Sequence, residues 1–490
     1  MLKQNKKFYI TTTLAYTNSD PHLGFALEII QADVIARYHR QKREEVFFNT
    51  GTDEHGLKIY RKAKEQNLLT KDFCDIYAQK FRDLKQSLNL SYNNFIRTTD
   101  KEHIKATQEF WKRCEKNGDI YKKNYKIKYC VGCEMEKTES ELVKGKCPLH
   151  PNQELEIIEE ENYFFRYSKY GDKLLGLYKK NPEFVLPKSR LNEIKEFTKK
   201  GLEDFSISRL KEKSPWGINV PGDAKHTMYV WFDALVNYIS CLGWPNDLEK
   251  LNDFWPGIQV AGKDNLRQQS SMWQAMLMSA GLKPSKQIFI HGFITSKGQK
   301  MSKSLGNVVN PFDLVEKYGT DAVRYFLLRE ITPTEDGDYT RQKFEERYNS
   351  DLASGLGNLV ARVVKLVDGQ NFEPKGITNE ELQTKIYETW EDYQKTLDDF
   401  KFNQSLGSIW KLISFCDKYI EKEKPWKKSE NQALAINNLL VVLANIAQML
   451  QVFLPETSEK IFEQLGVKPS DKEWHFEIKK EKSLFPRLIS

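Results

Sequence analysis

Residues 7–56 read KFYITTTLAYTNSDPHLGFALEIIQADVIARYHRQKREEVFFNTGTDEHG, and the order of elements in this stretch decides the fold class. Residues 7–13 carry the aromatic, aliphatic and β-branched side chains of a short strand. An irregular polar segment, Asn18-Ser19-Asp20-Pro21, follows, and a helical pattern then runs from about His22 to Gln41. A second strand, residues 45–49, ends in Gly51-Thr52-Asp53-Glu54-His55-Gly56 before more helix. Strand, loop, helix, strand is the rhythm of a parallel α/β sheet. Ligands gather at the carboxyl ends of the strands in such sheets, and both polar loops fall there.

The rhythm breaks between about residues 119 and 226, where Cys, Gly and Pro punctuate short strand-like pieces, and then resumes. Met228-Tyr229-Val230-Trp231-Phe232 leads into a helix, residues 257–261 end at Gly262-Lys263-Asp264, and residues 287–290 end at His291-Gly292. The pattern predicts one Rossmann-like parallel sheet split by an insertion. From residue 349 onward amphipathic helices predominate, which predicts a terminal all-α bundle.

A chain of 490 residues suits about three domains. Hydrophobic residues at 40% and charged residues at 29% exclude a disordered chain. The net charge of +7 permits a polyanionic partner without demanding one. The longest apolar stretch, residues 433–454, contains Asn437, Asn438, Asn445, Gln448 and Gln451, which predicts a core helix rather than a membrane span. No apolar signal core precedes the first strand, so the expectation is a cytoplasmic protein.

Three short motifs carry chemistry. In Pro21-His22-Leu23-Gly24, glycine admits a ligand close to the backbone, the helix start favours an anion, and His22 can donate to a phosphate. In Lys300-Met301-Ser302-Lys303-Ser304, two lysines three residues apart can clamp a triphosphate and offset charge on departing pyrophosphate. Cys130-Val131-Gly132-Cys133 and Cys147-Pro148-Leu149-His150 supply Cys130, Cys133, Cys147 and His150, four ligands suited to tetrahedral Zn²⁺. Four protein ligands leave no open position, so a single structural ion is expected. Cys74, Cys114, Cys241 and Cys416 stand alone and read as buried thiols.

The His-Leu-Gly loop in the first crossover, with Lys-Met-Ser-Lys-Ser after the last strand of the same split domain, resembles the class I aminoacyl-tRNA synthetases. Thr13-Leu14-Ala15-Tyr16-Thr17-Asn18, Thr50-Gly51-Thr52-Asp53-Glu54-His55-Gly56, Tyr229-Val230-Trp231-Phe232-Asp233-Ala234 and Gly262-Lys263-Asp264 are similar to segments of the methionyl family within that class. The resemblance implies ATP-dependent activation of L-methionine and its transfer to tRNA(Met), initiator tRNA included, with Mg²⁺ accompanying ATP and one structural Zn²⁺. It implies His22, Lys300 and Lys303 in catalysis, with Gly24, Gly262, Asp264, His291, Gly292 and Met301 also at ATP. Thr13, Leu14, Tyr16, Trp231, Ala234, Tyr238, Asn265, Gln269 and Trp273 would shape the methionine pocket, with Asp53 on the substrate ammonium and Arg209 in support. Asn358, Arg362, Pro425 and Trp426 would read the anticodon.

The implied domains are a Rossmann catalytic half at 1–115, a connective insertion at 116–226 with its zinc knuckle at about 128–152, and the second Rossmann half at 227–293. A lysine-loop and stem-contact region at 294–348 and a helical anticodon-binding domain at 349–490 complete the chain. A monomer is expected, with no membrane partner.

Two departures from the family pattern bear on function. Phe25 stands where the first loop has a second histidine, and its ring cannot donate a hydrogen bond to ATP. Asn265 and Gln269 replace an aliphatic residue and a histidine at the methionine pocket. Beside the methionine enzyme, these departures keep open a paralogue with altered amino-acid specificity and a catalytically silent tRNA-binding relative.

Overall fold

A computed structural model describes residues 6–133, 135–137, 141–301, 306–367, 376–470, 474–479 and 482–488. Its centre is a seven-stranded sheet in the order Ala15–Tyr16, Glu45–Asp53, Lys7–Thr12, Ile258–Gly262, Gln287–His291, Val185–Leu186, with Asn94–Arg97 also paired to Glu45–Asp53. Every pairing in it is parallel. Ile10 stands opposite Phe48 on one side and Ile258 on the other, and all three are buried, as a sheet covered on both faces requires.

The strand predicted at 45–49 runs on through Thr50-Gly51-Thr52 to Asp53. A Cβ at Gly51 would lie 1.8 Å from the carbonyl oxygen of Ile96, so the polar tail stays in the sheet because glycine lets the neighbouring strand close up. Asp53 is thereby placed at the carboxyl end of its strand.

The insertion forms a separate four-stranded antiparallel sheet of Met135–Lys137, Ile120–Cys130, Glu156–Phe165 and Phe205–Ser206. It also returns a strand: Val185–Leu186 pairs with Gln287–His291 at the edge of the main sheet. The Rossmann-like sheet is split by its insertion and followed by an all-α region, as the sequence predicts.

Two compact units partition the chain. One holds the residues up to Pro21, Arg43–Asp83 and Tyr92–His291; the other holds His22–Lys42, Leu84–Ser91 and the chain from Gly292 onward. Helix Leu23–Gln41 thus groups with the second unit, and buried charge accounts for it. Asp33 accepts from Arg37 Nε at 2.7 Å, from Arg324 Nη2 at 2.9 Å, and from the backbone N and Oγ of Ser91 at 2.6 Å each. Arg324 also donates to the carbonyls of Phe453 at 2.7 Å and Leu88 at 3.0 Å. Burial raises the Asp33 pKa, but the two guanidiniums outweigh it and hold the carboxyl below its usual range.

Helices Asn358–Val367, Glu380–Asp398, Phe402–Glu423, Gln432–Leu450 and Pro455–Leu465 complete the second unit. Gln432–Leu450 is long and apolar enough to cross a membrane by length and composition, yet most of it is buried inside the protein. Asn437 and Asn438 are buried with hydrogen bonds, Asn438 Nδ2 donating to the Tyr419 hydroxyl at 3.1 Å. Its amides therefore serve packing between helices.

Candidate functional site

In the first unit a small cavity of about 70 Å³ opens beside the carboxyl end of the strand bearing Asp53. Thr13 and Leu14, just beyond Lys7–Thr12, form one side. Trp231 and Ala234 on helix Val230–Ala234, with Tyr238, form another, and Asn265 and Gln269 close the wall. Leu235, Asn237 and Gln268 also line it and were not anticipated from the sequence. Gln268 could have been found by its spacing, next to Gln269 and three residues after Asn265.

Tyr16 and Trp273 do not line this cavity. Tyr16 packs against the cluster of Ile59, Ala63, Phe73 and Cys74, with Lys58 Nζ 5.8 Å from its ring centre. Trp273 is fully buried one layer back, stacked on Phe110 at 5.6 Å and edge-on to Tyr238 at 5.9 Å. It holds Tyr238 in place rather than forming the wall.

The Asp53 end of the strand is fixed by a polar scaffold. Thr17 donates to the Asp53 carbonyl through its N at 3.1 Å and its Oγ1 at 3.3 Å. The next carboxylate, Glu54, is buried and accepts from Arg97 Nε at 2.6 Å and Nη2 at 2.8 Å, and from the Thr52 hydroxyl at 2.6 Å. His55 reaches Asp233 at 2.6 Å, and His103 reaches the other oxygen of Asp233 at 2.8 Å. Burial raises the Asp233 pKa, and the two histidines more than reverse this, so the carboxyl stays ionised.

Residues Gln268–Met272 form a π-turn running into helix Trp273–Ser279. Such turns recur at functional sites because the wider turn redirects side chains. Here it places Gln268 and Gln269 on the cavity, with Gln269 Nε2 donating to the Tyr238 hydroxyl at 2.7 Å.

Arg209, buried on strand Ser208–Leu210, donates through Nη1 to Ser206 Oγ at 2.8 Å and to the Ser208 carbonyl at 2.7 Å. Its guanidinium lies 4.7 Å from the Tyr229 ring centre. Arg209 and Tyr229 line two larger cavities of about 620 and 510 Å³, the first also walled by Trp231.

Gly262 stands opposite His291 at the ends of adjacent strands, and a Cβ there would come within 2.9 Å of Asp264 Oδ1. These residues form one group of the expected ATP residues. His22 and Gly24 belong to the other unit, where His22 is the N-cap of Leu23–Gln41 and its Nδ1 accepts from Gly24 N at 3.1 Å. Accepting at Nδ1 leaves the proton on Nε2, so the exposed edge of the ring is a donor. A Cβ on Gly24 would sit 2.9 Å from the His22 ring, which explains the glycine. Gly292 is equally constrained, since a Cβ would meet the Glu335 carbonyl oxygen at 1.9 Å. Met301 directly follows strand Gln299–Lys300; the Lys300 side chain and all of Lys303 lie outside the described residues.

The four expected metal ligands converge. Cys130, Cys133, Cys147 and His150 place their ligand atoms within 4.8 Å of one another. Cys133 Sγ is 3.4 Å from Cys147 Sγ and 3.2 Å from His150 Nδ1, and Cys130 Sγ is 3.7 Å from that same nitrogen. Zn–S bonds of about 2.3 Å and tetrahedral angles give edges near 3.8 Å, so the set fits zinc. Burial pushes the Cys147 thiol up, but hydrogen bonds from Cys133 and the backbone at Leu149 and His150 bring it below its ordinary value. Gly132 is needed in the knuckle: a Cβ would lie 2.5 Å from the His150 ring.

Among the helices, Asn358 is exposed at the start of Asn358–Val367, while Arg362 pairs with Asp417 at 3.3 Å and Glu421 at 2.6 Å. Trp426 is 49% exposed, an unusual setting for an indole, and Pro425 beside it is buried. An aromatic face open to solvent suits stacking on a base.

The sequence matches the family described as tRNA synthetases class I (M) over residues 8–156 and 149–364. Residues 379–485 match the anticodon-binding domain of tRNA ligase. The chain is 41% identical to the methionine–tRNA ligase of Caldanaerobacter subterraneus subsp. tengcongensis, over 99% of this chain and 79% of that protein. It is 40% identical to the methionine–tRNA ligase of Brucella suis, over 95% and 93%. Among solved structures, Mycobacterium tuberculosis methionyl-tRNA synthetase in complex with methionyl-adenylate superposes with a TM-score of 0.93 at 37% identity, covering 98% of this chain and all of that one.

Proposed function

The chain belongs to the methionine–tRNA ligase family of class I tRNA synthetases, and from that premise we propose how its own residues carry out the ligation of methionine to tRNA. The observation that carries the assignment is the cavity at the Asp53 strand end, walled by Trp231, Ala234 and Tyr238. Aromatic walls suit a flexible, polarisable thioether. A carboxylate at the rim suits an ammonium that must leave water.

The methionine carboxylate attacks the α-phosphorus of ATP, forming methionyl-adenylate as pyrophosphate departs. No protein nucleophile takes part, so acceleration comes from positioning and from charge opposite the phosphates. His22 contributes its Nε2–H, and Lys300 and Lys303 neutralise the departing pyrophosphate. Gly24, Gly262, Asp264, His291, Gly292 and Met301 complete the ATP contacts, and magnesium enters with ATP as part of the substrate. In the second step a hydroxyl of the terminal adenosine of tRNA attacks the adenylate carbonyl, releasing AMP. Thr13, Leu14, Asn265 and Gln269 bound the side chain, Tyr16 and Trp273 support the walls from behind, and Arg209 holds the aromatic flank at Tyr229.

Zinc at Cys130, Cys133, Cys147 and His150 ties the insertion together and takes no part in bond making. Asn358, Arg362, Pro425 and Trp426 meet the anticodon of tRNA(Met), with Arg362 exchanging Asp417 and Glu421 for the base edge. The setting is the cytoplasm and the working unit a monomer. The domain boundaries follow the family pattern: 1–115, 116–226, 227–293, 294–348 and 349–490.

Methionine-dependent ATP–pyrophosphate exchange tests the reading. Exchange with methionine that is abolished by Lys303→Ala, with zinc content unchanged, supports it. Undiminished exchange in that variant overturns the role of the lysine loop. Absence of any exchange with tRNA binding retained would select the silent tRNA-binding alternative.

A further inference from the structure

We propose that Lys58 is a positioning residue that couples the zinc knuckle to the Asp53 end of the amino-acid cavity, so that zinc and methionine strengthen each other's binding. The inference rests on the reading of that cavity as the methionine site and of the knuckle as a zinc site.

Helix Leu57–Glu65 starts just beyond Asp53-Glu54-His55-Gly56, and Lys58 sits in its first turn. The Lys58 Nζ donates at 3.1 Å to the carbonyl of Gly132, which lies between the metal ligands Cys130 and Cys133. The same ammonium stands 5.8 Å from the Tyr16 ring centre. Tyr16 in turn pairs in register with Asp53 across parallel strands. One ammonium thus bridges the metal turn and the strand that flanks Asp53.

The path between these points is stiff. Lys62, one turn along the same helix face, donates to the Asn18 carbonyl at 2.9 Å. Asn18 N donates to the Tyr16 carbonyl at 2.8 Å, and Thr17 N to that of Asp53 at 3.1 Å. Between Asp53 and the helix, Trp216 Nε1 donates to the Glu54 carbonyl at 2.5 Å, and the Trp216 carbonyl accepts from Gly56 N at 3.0 Å. Ile59 and Ala63 pack the helix onto the cluster that also receives Tyr16. Gly56 gives the helix no side-chain cap, so its first turn depends on contacts such as those of Lys58.

The Gly132 carbonyl holds its place while the knuckle is closed. Its backbone packs so tightly on the His150 ring that a Cβ would lie 2.5 Å away, and a tetrahedral ion between the four ligands fixes this turn. Holding a long lysine side chain in one geometry opposes its conformational entropy. Zinc orders Lys58 from the knuckle side, and methionine orders it from the Asp53 side. Whichever binds first leaves less disorder for the second to remove, and the coupling is reciprocal.

The test is the zinc affinity of the full chain, measured by equilibrium competition with a chelator, with and without saturating L-methionine. Methionine should tighten zinc about fivefold. Lys58→Met keeps the apolar stem and removes the donors. It should abolish this response and raise the methionine KM in ATP–pyrophosphate exchange by the same factor, with kcat and the ATP KM unchanged. Lys58→Arg restores a donor and should recover most of the response. Arg61→Met removes another tie between the helix and the insertion, the exposed pair with Glu156 at 2.9 Å, and should leave the response intact. Zinc affinity indifferent to methionine in the unaltered chain, with methionine exchange normal, overturns the proposal and leaves both underlying readings standing. A full response in Lys58→Met also overturns it. The first measurement needs no variant, so poor folding of Lys58→Met does not shield the proposal. A chain that binds no zinc, or shows no methionine exchange, overturns the corresponding reading and the proposal with it.

Discussion

His55 Nδ1 and Asp233 Oδ2 lie 2.6 Å apart, joining the segment that follows Asp53 to the helix that carries Trp231. An ionised carboxylate only accepts, so His55 carries its proton on Nδ1 and His103 carries its own on Nε2, 2.8 Å from the other oxygen. His103 Nδ1 lies 2.9 Å from Ser240 Oγ, which holds the ring from its other side. Asp233→Ala strands two buried imidazoles and should cost about 3 kcal/mol of unfolding free energy, measured by denaturant titration. The methionine KM should rise more than the ATP KM, since the pair registers Trp231 against Asp53. The native carboxyl lies below its unfolded value. Its contribution is therefore complete above about pH 4 and lost as pH falls through the lower folded value.

Asp321 behaves in the opposite sense. It is fully buried, accepts from Thr457 N at 2.6 Å, and burial pushes it up to about 6 despite Arg324 nearby. The folded protein then binds more protons than the unfolded chain between about pH 4 and 6. Stability should fall as pH rises through that window and level off above it. Asp321→Asn keeps an oxygen for Thr457 and carries no charge. It should flatten the slope and raise the melting temperature at pH 7.5 by a few degrees, read by calorimetry.

Arg324 is buried with no exposed surface and binds Asp33 at 2.9 Å while donating to carbonyls at 452, 453 and 88. Arg324→Met removes the donors and leaves those oxygens and part of the Asp33 charge uncompensated. The expected loss is about 3–5 kcal/mol, measured by urea unfolding. Exposed pairs such as Lys385–Glu388 should change the midpoint hardly at all when removed.

One zinc per chain should be found by elemental analysis, and Cys133→Ser should lower that stoichiometry. Backbone amide exchange should then quicken in residues 128–152 and stay slow in the strands Lys7–Thr12 and Ile258–Gly262.

Local chemistry was legible in the sequence; tertiary constraint was not. The cysteine spacing revealed its ligand set because a knuckle is written within a few residues. The strand–helix–strand rhythm revealed the sheet because each element carries its own periodicity. The extension of the second strand to Asp53 was hidden, since Thr-Gly-Thr-Asp reads as a turn until the Ile96 carbonyl is seen against Gly51. The Asp233 cluster was hidden for a similar reason. His55, His103 and Asp233 are far apart in sequence, and each alone looks like an ordinary polar residue. Trp273 was read as pocket wall because family position does not distinguish a wall from its backing.

The register of Ile10 with Ile258 has a consequence for synthesis. The first of these residues leaves the ribosome 248 positions before the second (258 − 10). At about 5–20 residues per second, one edge of the strand Lys7–Thr12 waits roughly 12–50 s for its neighbour. During that interval nascent chains on one polysome expose the same row of unpaired backbone N–H and C=O groups, a template on which unshielded chains pair and aggregate.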